Sequence, residues 1–168
     1  MRIRIANTQG FWGDSTDAAA RLVAQCPEVD YLTLDYLAEV SLSIMALQRD
    51  RDPQAGYARD FVEVLHNLVP HWRLGRKVKV VCNAGGLNPA GCAEACAAVL
   101  RGAGLAHLKI GVVSGDDVLP ALRAEPANPL FANGEDYRAL AEVADRLVTA
   151  NAYIGAEGVA RALAAESS

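Results

Sequence analysis

The sequence predicts an α/β fold: a three-layer, open parallel sheet, Rossmann-like, with about four strands in the order 2-1-3-4 and helices on both faces. Three observations carry that prediction. Short apolar, β-branched runs alternate with helix-period segments along the 168 residues. The runs are near-uniformly apolar rather than alternating, as in strands covered on both faces. Right-handed crossovers then restrict the topology.

The elements follow in order. Arg2–Asn7 is the first strand. Asp14, Ser15 and Thr16 offer cap chemistry for a helix over Asp17–Gln25. Val29–Leu37 is the second strand, rich in β-branched and aromatic residues. A helix over Ala38–Arg49 is broken by Arg51-Asp52-Pro53. Tyr57, Phe61, Leu65, Leu68 and Trp72 form one apolar stripe, so Tyr57–Trp72 is helical. Lys77–Cys82 is the third strand. Ala90–Arg101 is a helix with Pro89 at its start and Gly102 and Gly104 at its end. Leu108–Val113 is the fourth strand, and Asp116–Arg123 a short helix. Residues 124–133, with Pro126, Pro129 and Asn133-Gly134, form a loop. Residues 134–168 form C-terminal helices: an amphipathic one over Glu135–Ala150, with Tyr137, Leu140, Ala141, Ala144 and Leu147 on one side, and an alanine-rich one over Ala156–Ala165. Residues 1–168 make a single domain.

Composition narrows the function. Hydrophobic residues make up 52% and charged residues 21%, enough for a core and too apolar for disorder. The net charge is −4, with one dense basic run at Arg73–Lys79 beside a strand, which argues against nucleic acid. No run approaches the roughly 20 apolar residues of a membrane helix, and the first residues do not read as a signal peptide. The expected compartment is the cytoplasm. Cys26, Cys82, Cys92 and Cys96 match neither zinc spacing nor C-x-x-C. Cys92 and Cys96 read as small buried apolar residues.

The unusual residues gather after the strands, on the rim where open α/β sheets bind ligands. With order 2-1-3-4, the crevice lies between the first and third strands, walled by Gly10–Ser15 and Asn83–Asn88. Gly10 and Gly13 permit a tight turn that exposes N–H groups to an anion. The same loop also reads as a plain strand-to-helix turn capped by Asp14 or Ser15. Gly85 and Gly86 make a second permissive turn. Asn83 and Asn88 add amides that orient a carboxylate, carbonyl or hydroxyl, or simply form the turn before Pro89. Asp35 and Glu39 are four apart and share a face if the helix starts early. Asp116 and Asp117 sit at the next strand end, where helix capping is the competing reading. Asp14, Asp35, Glu39, Asp116 and Asp117 together offer a hard-cation site for Mg²⁺ or a general acid or base. No histidine lies on this rim, so proton transfer falls to carboxylates, Cys82 or Tyr36. Phe11 and Trp12 wall an apolar ligand, contact a partner, or simply pack over the sheet edge.

Five motifs in one order resemble the acyclic terpene utilisation family, AtuA: Gly10-Phe11-Trp12-Gly13-Asp14, Asp30-Tyr31-Leu32 through Asp35-Tyr36-Leu37-Ala38-Glu39-Val40, Asn83-Ala84-Gly85-Gly86-Leu87-Asn88-Pro89, Gly115-Asp116-Asp117 and Asn151-Ala152-Tyr153-Ile154-Gly155. The resemblance runs to about Leu163. It implies a protein of a bacterial catabolic cluster handling citronellol- or geraniol-type terpenes, or other branched acids, as acyl-CoA thioesters. It adds Asn151 and Tyr153 to the ligand-binding candidates Gly10, Trp12, Gly13, Asp14, Ser15, Gly85, Gly86, Asn88, Asp116 and Asp117. Asp35, Glu39 and Asn83 are the catalytic candidates. Family members are longer, which implies a partner chain supplying the remainder, or a homo-oligomer. Two functions are therefore expected in competition: lyase, hydratase or isomerase chemistry on a small acid or its CoA thioester, or a non-catalytic assembly subunit.

Overall fold

The computed structural model describes residues 2–132, 134 and 139–165. Strand β1 (Ile5–Gln9) leads into helix α1 (Ala18–Gln25), then β2 (Tyr31–Leu34), α2 (Glu39–Arg51), α3 (Asp60–Arg73), β3 (Lys79–Cys82) and α4 (Pro89–Gly102). Beyond these lie α5 (Leu119–Ala124), three single 3₁₀ turns at Pro129–Phe131, Leu140–Glu142 and Ala144–Arg146, and α6 (Glu157–Ala164).

The sheet is parallel and has three strands in the order β1-β2-β3. This corrects the expected 2-1-3-4 order, and burial separates the strands. Leu32 and Leu34 of β2 are buried, whereas Ile5 and Asn7 of β1 and Cys82 of β3 are exposed. The more exposed strands take the edges, where solvent reaches them.

The expected fourth strand does not form: residues 108–113 pair with no strand. Gly111 interrupts this run and weakens it as a strand. The segment packs on α6 instead, since a Cβ at Gly111 would lie 2.9 Å from Cβ of Ala162 and one at Gly158 would lie 2.6 Å from Cγ1 of Val113.

Register explains the layering. Ala6, Leu32 and Val80 align across the sheet, and so do Ile5, Tyr31 and Lys79. The first row belongs to the core, which joins Leu32 and Leu34 to Ala19 and Val23 of α1, Met45 of α2, Phe61 and Leu68 of α3, and Cys92 and Cys96 of α4. The second row is not closed over: Tyr31 and Lys79 are half-buried and Ile5 is 66% exposed. Among the described residues one face is packed as expected and the other is not. A bulge at Thr8 interrupts the β1–β2 ladder between Asn7 and Gln9. Asn7 Oδ1 accepts the Gln9 backbone N–H there (2.9 Å), and Gln9 is buried.

Two further expectations change. The cap set does not cap α1. Its N-cap is Asp17, with no side-chain cap bond. Instead Asp14 binds inside its own loop, Ser15 donates to Asp17, and Thr16 donates to Glu63 on α3 (3.0 Å). The predicted helix over Glu135–Ala150 is also corrected for its described part. Residues 135–138 lie outside the described residues, Tyr137 and its place in the stripe with them, as does Asn133. Residues 139–150 form two 3₁₀ turns and then a stretch with no regular secondary structure. Val143, Val148 and Thr149 are β-branched and poor helix formers. No described helix is long and apolar enough to cross a membrane.

Candidate functional site

Parallel strands deliver their C-terminal ends to one rim, and with β2 in the centre the rim centres on Asp35. The Asp35 N–H donates to the Gln9 carbonyl (3.0 Å), carrying the β1–β2 ladder one residue past the strand. Asn83, just beyond β3, reaches across to the same point. Its Nδ2 donates to Asp35 Oδ1 (2.7 Å), and its Oδ1 accepts the Tyr36 N–H (2.7 Å). The Leu37 N–H adds a longer contact to Asp35 Oδ1 (3.3 Å). Both bonds to the carboxylate fall on Oδ1, and Asp35 is exposed. Among the described residues Oδ2 accepts no hydrogen bond.

The β1 side is laced to this centre by a residue that sequence reading missed. Gln9 is 2% exposed, the one fully buried polar side chain among the described residues. Its Nε2 donates to the Asp14 carbonyl (3.3 Å), while Asp14 Oδ2 accepts the Gly10 N–H (2.7 Å). No local pattern singles it out, because Asn7 and Thr8 of the same strand are polar too. The Gly10 amide expected to hold an anion already holds one, supplied by Asp14. Gly13 has φ +121°, a left-handed turn, beside the exposed ring of Phe11. Trp12 is half-buried against the core, and Ser15 is committed to Asp17.

The other predicted wall is scaffold. A Cβ on Gly86 (φ +49°) would strike Met45 Sδ and lie 2.9 Å from the Gly56 carbonyl oxygen, and one on Gly85 would lie 2.9 Å from Cα of Pro89. Asn88 Oδ1 caps α4 by accepting the Gly91 N–H (2.9 Å), and its Nδ2 faces the carbonyls of Gln54 and Ala55. These bonds use the side chain at both ends. Because β2 separates β1 from β3, Gly10–Ser15 and Asn83–Asn88 do not face each other across one crevice.

Glu39 opens α2 and is exposed. The helix begins there, so Asp35 precedes it and the shared helical face with Glu39 does not arise. Asp116, Asp117 and Asn151 come together in a separate cluster. Asp117 bridges Asn151 in antiparallel fashion, Asn151 Nδ2 donates to Asp116 Oδ2 (2.8 Å), and the Ala152 N–H donates to the Asp116 carbonyl (2.7 Å). Asp117 Oδ1 accepts the Leu119 N–H (3.1 Å) from just before α5, whose N-cap is Val118 and has no side-chain cap bond. Tyr153 is fully exposed. No hydrogen bond joins this cluster to Asp35 or Asn83 among the described residues. Nor do three His, Cys, Asp or Glu side chains converge there to hold a metal, so the five-carboxylate Mg²⁺ set is not assembled.

Tyr36 and Cys82 are poor proton carriers. Tyr36 is 1% exposed, with its ring edge-on to Phe61 at 5.9 Å and its hydroxyl unpartnered. Burial, then the nearby Asp60, pushes its phenol far above the ordinary range. Cys82 keeps some exposed surface, yet the protein around its thiol pushes it up to about 12, so it is protonated at neutral pH. Asp60, at the start of α3, is raised by burial against a hydrogen bond from Trp12. A surface depression lined by Arg123, Pro126, Ala144 and Asp145 includes none of these rim residues.

The fold and rim define a class: a small parallel α/β domain that presents an oriented carboxylate at the C-terminal edge of its central strand. Within that class, the profile described as "Acyclic terpene utilisation family protein AtuA" matches residues 3–168. The chain belongs to the acyclic terpene utilisation family. No match was found among curated proteins or among solved structures.

Proposed function

We propose that the chain binds a small or branched carboxylic acid, or its CoA thioester, at the β2 rim and catalyses proton transfer of the lyase, hydratase or isomerase type. The observation that carries this reading is the Asp35–Asn83 pair. A carboxylate bonded on one oxygen by a fixed amide, with the other oxygen open, has the geometry of a general base. Asp35 takes the proton on Oδ2 from the carbon beside the substrate carbonyl. Asn83 holds the carboxylate plane and is a positioning residue. Asp35 rather than Glu39 is the base, because Glu39 has no orienting amide. The exposed Phe11 ring gives an apolar acyl chain a surface beside the rim. Family membership supports a terpenoid or branched acid as the substrate class.

Deuterium exchange tests this. The chain is incubated in D₂O with a panel of branched and terpenoid acyl-CoA thioesters, and label at the carbon beside the carbonyl is read by mass spectrometry. Asp35→Asn should slow exchange by roughly 10²–10⁴-fold with little change in melting temperature. Asn83→Ala should slow it less. Undiminished exchange in Asp35→Asn, or none with any thioester in the wild type, would overturn the reading.

A further inference from the structure

The pole opposite the Asp35 rim is basic. Hydrogen bonds tie its pieces together at the N-terminal ends of the strands. The Asp30 and Tyr31 N–H groups donate to the Arg4 carbonyl, and the Lys79 N–H donates to the Asp30 carbonyl. Trp72 Nε1 donates to the Val78 carbonyl (3.0 Å), and Arg73 reaches from the end of α3 to the Ala103 carbonyl after α4 (2.7 Å). The lead-ins to β1 and β3, the turn after α3 and the end of α4 therefore share one surface. Arg2 and Arg4 stand before and at the start of β1, with Arg76, Lys77 and Lys79 around the start of β3. Arg73 and Arg101 lie in the last turns of α3 and α4. The acids beside them are Glu28 and Asp30, and the Asp30 carboxylate already accepts the Arg4 N–H (2.8 Å). Seven basic side chains against two acidic ones make a positive face on a chain whose net charge is −4.

Arg73 and Arg101 answer the helix dipoles and are ordinary there. The other five are not at helix ends. Arg2, Arg4, Arg76 and Lys77 are exposed and form no ion pair among the described residues. Apolar side chains sit among these charges. Leu74, 79% exposed, lies between Arg73 and Arg76, and Ile3, 49% exposed, lies between Arg2 and Arg4. A nucleic-acid strand would call for exposed rings to stack on. The aromatic residues of this surface, Tyr31 and Trp72, are half-buried, and the Trp72 N–H is already used. Exposed apolar residues set in a basic field instead match a lipid interface. We propose that this pole docks on an anionic phospholipid bilayer. Arg2, Arg4, Arg76 and Lys77 meet the lipid headgroups, and Leu74 and Ile3 enter the interfacial layer. Charge complementarity draws the surface in, and the apolar side chains gain by leaving water, which a soluble polyanion would not offer them. The Asp35 rim, at the other end of the same strands, then faces away from the bilayer. The docking does not depend on the reaction assigned to Asp35.

Co-sedimentation of the full chain with sucrose-loaded vesicles tests the proposal. Vesicles of phosphatidylcholine alone are compared with vesicles in which about one third of the lipid is phosphatidylserine. The wild type should pellet with the anionic vesicles and stay in solution with the neutral ones. Raising the salt should weaken the binding steeply, because exposed charges are screened. The double variant R76E/K77E should weaken it by more than about tenfold, since each charge near an anionic surface contributes roughly fivefold. Leu74→Ser should weaken it several-fold and leave the salt dependence unchanged, a response that a purely electrostatic contact would not give. These residues are exposed and clear of the core, and circular dichroism confirms the fold of each variant. No binding to anionic vesicles, equal binding to both kinds, or undiminished binding in either variant would overturn the proposal. So would tighter binding to a duplex oligonucleotide than to the anionic vesicles at the same salt.

Discussion

Residues 5–102 and residues 103–165 solve the problem of holding a chain in place by different means. The first stretch holds the sheet, α1–α4 and the large core around Leu32, Leu34 and Leu68. Beyond residue 105, the buried apolar side chains among the described residues are Leu119 and Leu140. That second stretch is held by polar links: Asp116–Asn151, the Asp117–Asn151 bridge, and Arg123 donating to the Leu147 carbonyl (2.9 Å). Periodic apolar residues give burial and hence cooperative stability. Alanine- and proline-rich sequence gives short turns that only local bonds can order. The candidate general base belongs to the first stretch, one residue past β2.

Three substitutions press on this contrast. The largest effect is expected from Leu32→Ala in the centre of the sheet, about 3–5 kcal/mol by urea unfolding. Leu140→Ala should cost about 2 kcal/mol or less, since few apolar neighbours surround it. Equal losses at both sites would erase the distinction between the two stretches. Gly86→Ala comes next, at about 1–3 kcal/mol, because the new methyl meets Met45 in a left-handed turn. Calorimetry showing no loss would mean that α2 shifts freely there.

The smallest effect is a pH dependence. The folded Asp60 carboxyl is raised above its ordinary 3.8. Between the unfolded and folded values the native state binds more protons than the unfolded one, so stability falls as pH rises through that window. Asp60→Asn should melt close to the wild type below the ordinary carboxylate value and slightly above it at neutral pH. Thermal melts from about pH 3 to pH 7 read the difference. A gap that narrows with rising pH would show that Asp60 gains more from Trp12 than it loses by burial.

Much of the first stretch was legible in the sequence. The β-branched runs located β1, β2 and β3 to within a few residues, the apolar stripe located α3, and Pro89 located the start of α4. Strand order was not legible from apolar content alone. Neither β1 nor β2 carries a charged residue, so charge does not order them either. The supposed fourth strand has strand composition, but Gly111 and the nearby α6 compete for it. At the site, Asp35 and Asn83 both stood out by loop position. Their bond did not, because it joins residues 48 apart in sequence and exists only once β2 and β3 are neighbours. The glycines misled for a related reason. Gly85 and Gly86 are small because Pro89, Met45 and Gly56 crowd them, and crowding of that kind leaves no local sequence pattern.

The bond between Asp14 and the Gly10 amide has one more consequence. The loop is born with its own resident ion, tethered four residues away. Any free anion arriving there meets a competitor at the high local concentration that a short tether confers. Dilute phosphate or acetate loses that contest. A guest anion would displace the resident only by bringing additional contacts of its own.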